Sequence, residues 1–254
     1  MAVLGTHIGG PVDGVPVLMH ASLGRGAADL LPLATDLAAQ GYRTVVLDPR
    51  SAGAGDPESD PEIVTLHDLA ADIGATAADL GIGSFHAIGH AFGNRVVRCL
   101  AADAPDLLLT VSLLGAGGLV PPDGEVRSAL NRCFDLRAER SRAERLADLE
   151  AAFFAPGSDA SVWLDGWDAD VIAVQVAAMR ATPLDDWWSG GSAPMLVVQG
   201  QQDRAAPPEN GRRLAADRPG TTLVEIDGAG HALLPERPDQ VASAVRRFLD
   251  AHRR

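Results

Sequence analysis

Cysteine is scarce in this sequence, which has only Cys99 and Cys133 among 254 residues. The two cysteines have neither C-x-x-C spacing nor neighbouring histidines, so the sequence indicates neither a disulfide scaffold nor a metal site. We therefore expect a reducing compartment, the cytoplasm, and no metal or other cofactor.

Long apolar runs and an excess of positive charge are also missing. The N-terminus, MAVLGTHIGGPVDG, lacks a positive stretch followed by an apolar one, and no later segment stays apolar long enough to cross a bilayer. Acidic residues outnumber basic ones by 34 to 21, and the formal charge of -13 repels phosphate backbones. The composition argues against membranes and nucleic acid as partners, and it leaves open whether the chain forms a homo-oligomer.

What the chain does contain is an alternation of strand and helix patterns. With 46% hydrophobic residues, it can bury one substantial core. Short apolar or β-branched runs alternate with segments of helical periodicity, which is typical of a parallel sheet with helices on both faces. The predicted strands are Val15–His20, Thr44–Asp48, Phe85–Gly89, Leu107–Leu114, Met195–Gly200 and Thr222–Asp227. The predicted helices are Ala27–Gln40, Leu66–Leu80, Phe92–Asp103, Pro208–Asp217 and Pro235–Ala251.

One long segment interrupts the alternation. Between residues 121 and 191 there is no convincing strand, but there are charged amphipathic helices from Glu125 to Phe154 and all four tryptophans. Proline and glycine pairs near Pro121 and Gly190 have the composition of hinges. We predict a core formed by residues 1–120 and 192–254, with residues 121–191 inserted as a helical cap.

The run FHAIGHAFGN at residues 85–94 is a strand that leads through two glycines into a helix. A turn of this kind holds its central residue, here Ala91, at strained backbone angles, and only glycine fits at the flanking Gly89 and Gly93. The run resembles the nucleophile elbow of the α/β-hydrolase superfamily, in which the central residue is usually serine. The resemblance covers nearly the whole chain and implies an α/β-hydrolase fold, with a mostly parallel central sheet flanked by helices.

Two later loops extend the resemblance. QQDRAAPP at residues 201–208 resembles the family's acid loop, and IDGAGHALL at residues 226–234 resembles its histidine loop. The resemblance makes Asp203 the acid that orients His231, the base, in the chain order expected for this fold. Taken singly, the aspartate could form a turn and the histidine could be structural. In this order, and each after a strand, they indicate a catalytic pair.

Two further loops resemble those of the family. HASLGRG at residues 20–26 resembles the loop that supplies one oxyanion-hole N–H, here from Ser22, and Phe92 would supply the second. Relatives usually have glycine where Ala21 stands. DPRSAGAG at residues 48–55 resembles the family's D-x-R-G-x-G loop, with Ser51 in place of its first glycine, and we interpret it as structural.

Ala91 closes the acyl-enzyme route, because a methyl group cannot attack a carbonyl. Three explanations remain open: an engineered serine-to-alanine exchange, a natural alanine, or a pseudoenzyme that inherited the pair. We favour the natural alanine, because GHAFGNR resembles a poorly characterised bacterial branch of the superfamily, and because Asn94 and the Ser22 loop also depart from common serine-enzyme patterns. His231 and Asp203 would then activate water or remove a substrate proton, for a rate gain on the order of 10²–10⁴-fold.

Other nucleophiles fit the pattern less well. Ser22 is the best placed, yet its position in relatives donates hydrogen bonds rather than attacks. Cys99 lies two helical turns beyond Ala91, where we expect core packing. Cys133 lies in the predicted cap, where we expect it to fill apolar space.

Substrate contacts are expected from the predicted cap and from the elbow. Trp163 and Trp187 could roof the site, while the other two tryptophans join cap to core. His20 ends the first predicted strand and His90 precedes Ala91, so both are candidates for the pocket wall, although His90 fits a packing role equally well. An apolar cap favours a neutral, moderately hydrophobic small molecule.

The main hypothesis is therefore an enzyme that acts on an ester, thioester, lactone or similarly activated carbonyl of a small molecule. The alternatives are a non-catalytic small-molecule binder and a His–Asp lyase or cyclase without a covalent intermediate. A dehalogenase or epoxide hydrolase would need a carboxylate at position 91. A nucleotide-binding Rossmann protein would need G-x-G-x-x-G after the first strand, which the sequence lacks.

Overall fold

The computed structural model describes residues 1–50 and 64–253. The strands are β1 Thr6–Gly9, β2 Val15–His20, β3 Tyr42–Leu47, β4 Phe85–His90, β5 Leu108–Leu114, β6 Met195–Gly200 and β7 Thr222–Ile226. They form one sheet in the order β1-β3-β2-β4-β5-β6-β7. Strand β1 is antiparallel to β3, and all other neighbours are parallel. The mostly parallel sheet predicted from the sequence is confirmed.

The helices flank this sheet and fill the segment between β5 and β6. They are α1 Leu31–Ala39, α2 Leu66–Asp79, α3 Phe92–Asp103, α4 Gly124–Phe134, α5 Arg142–Phe153, α6 Ala169–Ala181, α7 Glu209–Asp217, α8 Leu233–Glu236 and α9 Pro238–Ala251. None of the helices in the described residues combines the length and the apolar character that crossing a bilayer would require.

Three departures from the predicted elements have a local cause in the sequence. Strand β1 is not predicted, because THIG is short and ends in glycine. The predicted helix 27–40 is split into a short 3-10 helix, Ala27–Asp29, and α1, which has Pro32 in its first turn, where a missing N–H leaves no bond unmade. The predicted helix 235–251 is likewise two helices, because Pro238 cannot donate within a continuing helix and instead begins α9.

Apolar side chains at alternate strand positions pack on opposite faces of the sheet. Leu18 and Val45 pack on the face covered by α2 and α3. Val17, Met19 and Val46 pack on the face covered by α1 and α9. A parallel sheet is stable only when both faces are covered in this way. The sheet is thus a rigid base, and the loops at the carboxyl ends of its strands carry the candidate site.

The segment between β5 and β6, residues 115–194, is here called the helical insertion. It contains α4, α5 and α6 and no strand. A separate apolar cluster joins α4 and α5 to Trp163 and reaches Ala232, directly after the predicted catalytic histidine. The insertion therefore contacts the histidine loop. The predicted division of the chain at residues 121 and 191 stays a prediction.

Only the first part of the D-x-R loop belongs to the described residues. Arg50 Nη1 donates to Asp72 Oδ2 at 3.3 Å, and the Asp72 carboxylate is fully buried. Asp48 accepts a hydrogen bond from His7 Nε2 at 3.1 Å. These contacts tie the loop to its neighbours, while positions 51–55 of the motif lie outside the described residues.

Candidate active site

Ala91 lies at the turn between β4 and α3 with φ of 51° and ψ of -104°. Among the described residues it is the one non-glycine residue with positive φ. The Ala91 N–H donates to the Leu114 carbonyl at 2.9 Å, and the Ala91 carbonyl accepts from the Asn94 N–H at 3.1 Å. The turn has the strained backbone expected of a nucleophile elbow, although its tip is a methyl group.

The two glycines of the elbow are required by close backbone approach. A Cβ atom on Gly89 would lie 2.4 Å from the carbonyl carbon of Gly93. A Cβ atom on Gly93 would lie 2.3 Å from the carbonyl oxygen of His20. Both distances are far below van der Waals contact with backbone atoms that cannot swing aside. The spacing of the glycines therefore follows from how tightly α3 packs beside β2 and β4.

Asn94, which departs from the common serine-enzyme pattern, has a structural role. Its Nδ2 donates to the carbonyls of Leu114 and Gly115, each at 2.9 Å, and its Oδ1 accepts from the Leu114 N–H at 3.1 Å. The side chain is fully buried, and these three bonds use its amide on both sides. Asn94 thereby fixes the start of α3 to the end of β5, beside the cavity.

Asp203 and His231, the predicted acid and base, lie next to each other. His231 Nδ1 lies 2.8 Å from Asp203 Oδ2, so in the neutral imidazole this contact places the proton on Nδ1 and leaves the lone pair on Nε2. The carboxylate also accepts from the Ala206 N–H at 2.7 Å and from Gln199 Nε2 at 3.0 Å. Both members of the pair are buried. Three donors hold the acid in place, and the acid in turn holds the imidazole in one tautomer.

The helical insertion fixes the backbone of the histidine loop. The N–H groups of His231 and Ala232 both donate to the carbonyl of Phe153, at 2.7 and 3.1 Å. The Phe153 ring stacks on the imidazole, with centroids 5.9 Å apart and planes at 27°. Glu236 bridges the same two segments, because it accepts from the N–H groups of Gly230 and Ala155. Sequence reasoning missed Phe153 and Glu236, since nothing local in the chain links α5 to this loop.

A cavity of about 260 Å³ opens over the elbow. Ala91, His231, Ser22 and Phe92 line it together. The helical insertion adds an apolar wall from Leu130, Phe134, Phe153 and Met179. One charged side chain of helix α3, Arg95, also reaches the wall. The cavity thus joins the predicted base, the elbow and the two predicted oxyanion donors in one space.

The two predicted oxyanion donors are well placed by their elements. Phe92 is the first residue of α3, so its N–H lies at the positive end of a helix, where anions bind favourably. Ser22 follows β2 and is buried at the cavity. Within residues 1–50 and 64–253, neither backbone N–H donates a hydrogen bond outside regular helices and strands. Their role as oxyanion donors remains a prediction.

The four residues predicted to contact substrate lie behind the cavity rather than among its lining residues. The His20 ring is buried and its Nδ1 lies 3.0 Å from the Ala21 carbonyl oxygen. Trp163 packs against Phe153, at 5.3 Å between centroids, and against His90, at 6.2 Å. Trp187 is buried against the guanidinium of Arg98. All four support the walls from outside, so their predicted contact with substrate finds no support in this geometry.

His90 forms a hydrogen bond with the backbone of the histidine loop. It is fully buried, and its Nε2 donates to the His231 carbonyl at 3.0 Å. Burial, and after it the charge of His231, lowers the pKa of His90 from 6.5 to about 4. Between pH 4 and pH 6.5 the unfolded chain binds more protons at His90 than the folded chain does. The contribution of His90 to the free energy of unfolding is therefore complete above pH 6.5 and is lost as the pH falls toward 4.

We expect His90→Gln to weaken the acid sensitivity of folding. Between about pH 7 and about pH 5, urea denaturation should show a loss of unfolding free energy that is about 2 kcal/mol smaller in this variant than in the unchanged protein. Glutamine retains a donor for the His231 carbonyl but does not titrate. An equal loss in both proteins would contradict the buried, neutral state of His90.

Comparisons with known proteins agree with the fold. A family model described as alpha/beta hydrolase fold matches residues 15–238, and the chain therefore belongs to the α/β-hydrolase-fold family. The solved structure "Crystal Structure of Putative non-heme bromoperoxidase BpoC from Mycobacterium tuberculosis H37Rv" is similar, with a TM-score of 0.82 and 21% identity, over 100% of this chain and 98% of that one. At this identity the likeness shows the fold alone.

Curated relatives extend the comparison to proteins with assigned activities. "Putative carbamate hydrolase RutD" of Rhizobium rhizogenes is 27% identical over 256 residues, or 94% of each chain. "Rhodomycin D methylesterase DauP" of Streptomyces sp. strain C5 is 29% identical over 278 residues, or 94% of this chain and 91% of the relative. The prediction of an α/β hydrolase is confirmed at this level. Within the described residues, no three His, Cys, Asp or Glu side chains are grouped as metal ligands.

Proposed function

We propose that the protein hydrolyses a small-molecule ester or similarly activated carbonyl compound by direct attack of water, without an acyl-enzyme. His231 would take the proton from the water, Asp203 would hold the imidazole, and the N–H groups of Ser22 and Phe92 would receive the oxyanion. The observation that carries the proposal is that Ala91 keeps an elbow's backbone beside a cavity that His231 also lines.

The strain at Ala91 supports a site in use. A non-glycine residue in a sparsely populated backbone region costs roughly 1–3 kcal/mol. Glycine at position 91 would remove this strain, and an apolar pair would replace Asp203 and His231 without burying a charge. A chain that needed only the fold would lose nothing by either exchange. The strain and the buried pair, neither of which the fold requires, both favour a chemical role.

The cavity has room for the reaction. Its volume of about 260 Å³ exceeds the roughly 30 Å³ that one water occupies, so a small substrate and a water fit together. The hydroxyl that Ala91 lacks leaves space for the attacking oxygen in the cavity that His231 also lines. A positioned general base supplies on the order of 10²–10⁴-fold, which suits a reactive carbonyl with a good leaving group. The names of the two relatives, a carbamate hydrolase and a methylesterase, describe carbonyls with heteroatom leaving groups.

Neither cysteine is suited to replace the missing nucleophile. Burial raises the pKa of Cys99 to about 12 and that of Cys133 to about 12, so both thiols stay protonated at neutral pH. Neither of them lines the cavity at Ala91. Both are free thiols, which supports the cytoplasm as the proposed location. The proposed partner remains a small-molecule substrate.

The proposal is tested by looking for an acyl-enzyme. With 4-nitrophenyl acetate in excess, we expect release of 4-nitrophenolate without an initial burst, and no acetylated protein in intact-mass spectra of rapidly quenched samples. The Ala91→Ser variant is the matched control, because its serine should accumulate an acetyl adduct under the same conditions.

Two outcomes would overturn the proposal. An acetyl group found on Ser22 or His231 of the unchanged protein would show covalent catalysis. Turnover that is the same with and without His231 would show that the dyad is not the base in this reaction. Binding of small molecules without any turnover would instead make a non-catalytic binder the better description. A proton-abstracting lyase would instead consume a substrate with an acidic C–H and leave the ester intact.

A further inference from the structure

Arg95 is a charged residue on the cavity wall that has no role in the hydrolytic mechanism above. It lies in the first turn of α3, four residues after Ala91, and both residues line the cavity. It lines the same cavity as His231. Within the described residues its guanidinium makes neither an ion pair nor a hydrogen bond, and its neighbour is the Trp187 ring, 5.1 Å away.

A second arginine, Arg98, adds positive charge beside Arg95. Arg98 is fully buried, and its guanidinium packs 4.6 Å from the centre of the same Trp187 ring. It donates to backbone carbonyls, including that of Gly117 at 2.8 Å, and no carboxylate of the described chain lies within ion-pair distance. Burial, and after it the charge of Arg95, lowers the pKa of Arg98 to about 9. Two positive charges therefore share one indole ring without an anion between them.

Another buried arginine of this chain shows what is missing. Arg25 forms two hydrogen bonds of 2.7 Å with the Asp29 carboxylate. Buried cations in proteins are normally compensated by such a partner. Arg95 is half-buried and lines the cavity, so a ligand in the cavity is the group that can supply the anion.

We propose that Arg95 binds a carboxylate of the substrate, while the carbonyl carbon of the same molecule lies at His231. The inference rests on the proposed hydrolysis and narrows its substrate to short acids that carry a second, activated carbonyl. It departs from the neutral substrate expected from the apolar cap. That expectation omitted Arg95, because an arginine in the pattern FGNRVVR is typical of a solvent-facing helix position.

The test measures binding separately from turnover. The ligands for isothermal titration calorimetry are 4-oxopentanoate and its neutral isostere 4-oxopentanamide, which differ only in the charged group. Charge-assisted hydrogen bonds of this kind are worth about 10- to 100-fold in affinity, and we expect the carboxylate to bind more tightly than the amide by this factor. Turnover is followed with monomethyl succinate and with the matching monoamide methyl ester.

The variants separate the role of Arg95 from that of net charge. In Arg95→Gln the preference for the carboxylate should vanish in both assays, and in Arg95→Lys part of it should return, because lysine keeps the charge but not the forked geometry. Arg247→Gln removes one positive charge from an exposed position on α9 and should retain the full preference.

The possible results divide cleanly. Equal binding of acid and amide by the unchanged protein would overturn the inference, and so would a preference for the carboxylate that survives Arg95→Gln. In either case, ester turnover that still requires His231 would leave the proposed function standing. A carboxylate preference that is lost in Arg95→Gln, without turnover of any ester, would support the anion site and would overturn the proposed hydrolysis.

Discussion

Replacing Ala91 with serine should raise the rate of 4-nitrophenyl acetate hydrolysis by about 10²–10⁴-fold. The surroundings that a serine would need border one cavity: the elbow has a positive φ, His231 Nδ1 lies 2.8 Å from Asp203, and Phe92 at the start of α3 lines the same space. The new hydroxyl would give up its proton to His231 and form an acetyl-enzyme, which splits one difficult step into two easier ones.

The gain must depend on His231 if it arises from a triad. The double variant Ala91→Ser with His231→Gln should therefore return to the rate of His231→Gln alone, because the two residues act as one unit. Initial rates of 4-nitrophenolate release for the four proteins measure this directly. No gain from serine, in a variant that is as stable as the parent, would mean that the cavity positions its substrate for chemistry other than nucleophilic attack at residue 91.

The parts of the site that sequence reasoning finds are those with a local signature. The elbow is recognised from Gly89 and Gly93, and the structure explains the glycines because a Cβ atom at either position would lie less than 2.5 Å from a backbone atom. Asp203 and His231 each follow a strand, and a parallel sheet brings the carboxyl ends of its strands to one edge. Their hydrogen bond of 2.8 Å is therefore a consequence of topology that the chain order already contains.

The parts that sequence reasoning misses depend on which way side chains turn at a distant contact. Trp163 belongs to the insertion as expected, but it packs on Phe153 and His90 instead of facing the cavity. Phe153 lines the cavity where a tryptophan was predicted. It does so because its carbonyl, at the end of α5, accepts the hydrogen bonds from the histidine loop. The amphipathic pattern predicts that α5 exists but not which of its residues reaches the site.

In the protein that keeps Ala91, exchange of His231 for glutamine should lower kcat/KM for 4-nitrophenyl acetate by about 10²–10⁴-fold. This is the contribution expected of a positioned general base. The amide keeps a donor and an acceptor near Asp203 but cannot take a proton from water. Initial rates of 4-nitrophenolate release over a range of substrate concentrations, measured at one pH for both proteins, give the two values of kcat/KM.

Two companion variants separate proton transfer from structure. Asp203→Asn keeps the size of the acid but removes its charge, and its amide can donate as well as accept, so the imidazole loses its fixed tautomer and kcat should fall further than KM changes. His7→Gln alters a half-exposed histidine of the edge strand β1 and should leave the rate as it is. A kcat/KM that stays the same in His231→Gln would contradict the mechanism, because the proton would then be taken by a group outside the dyad.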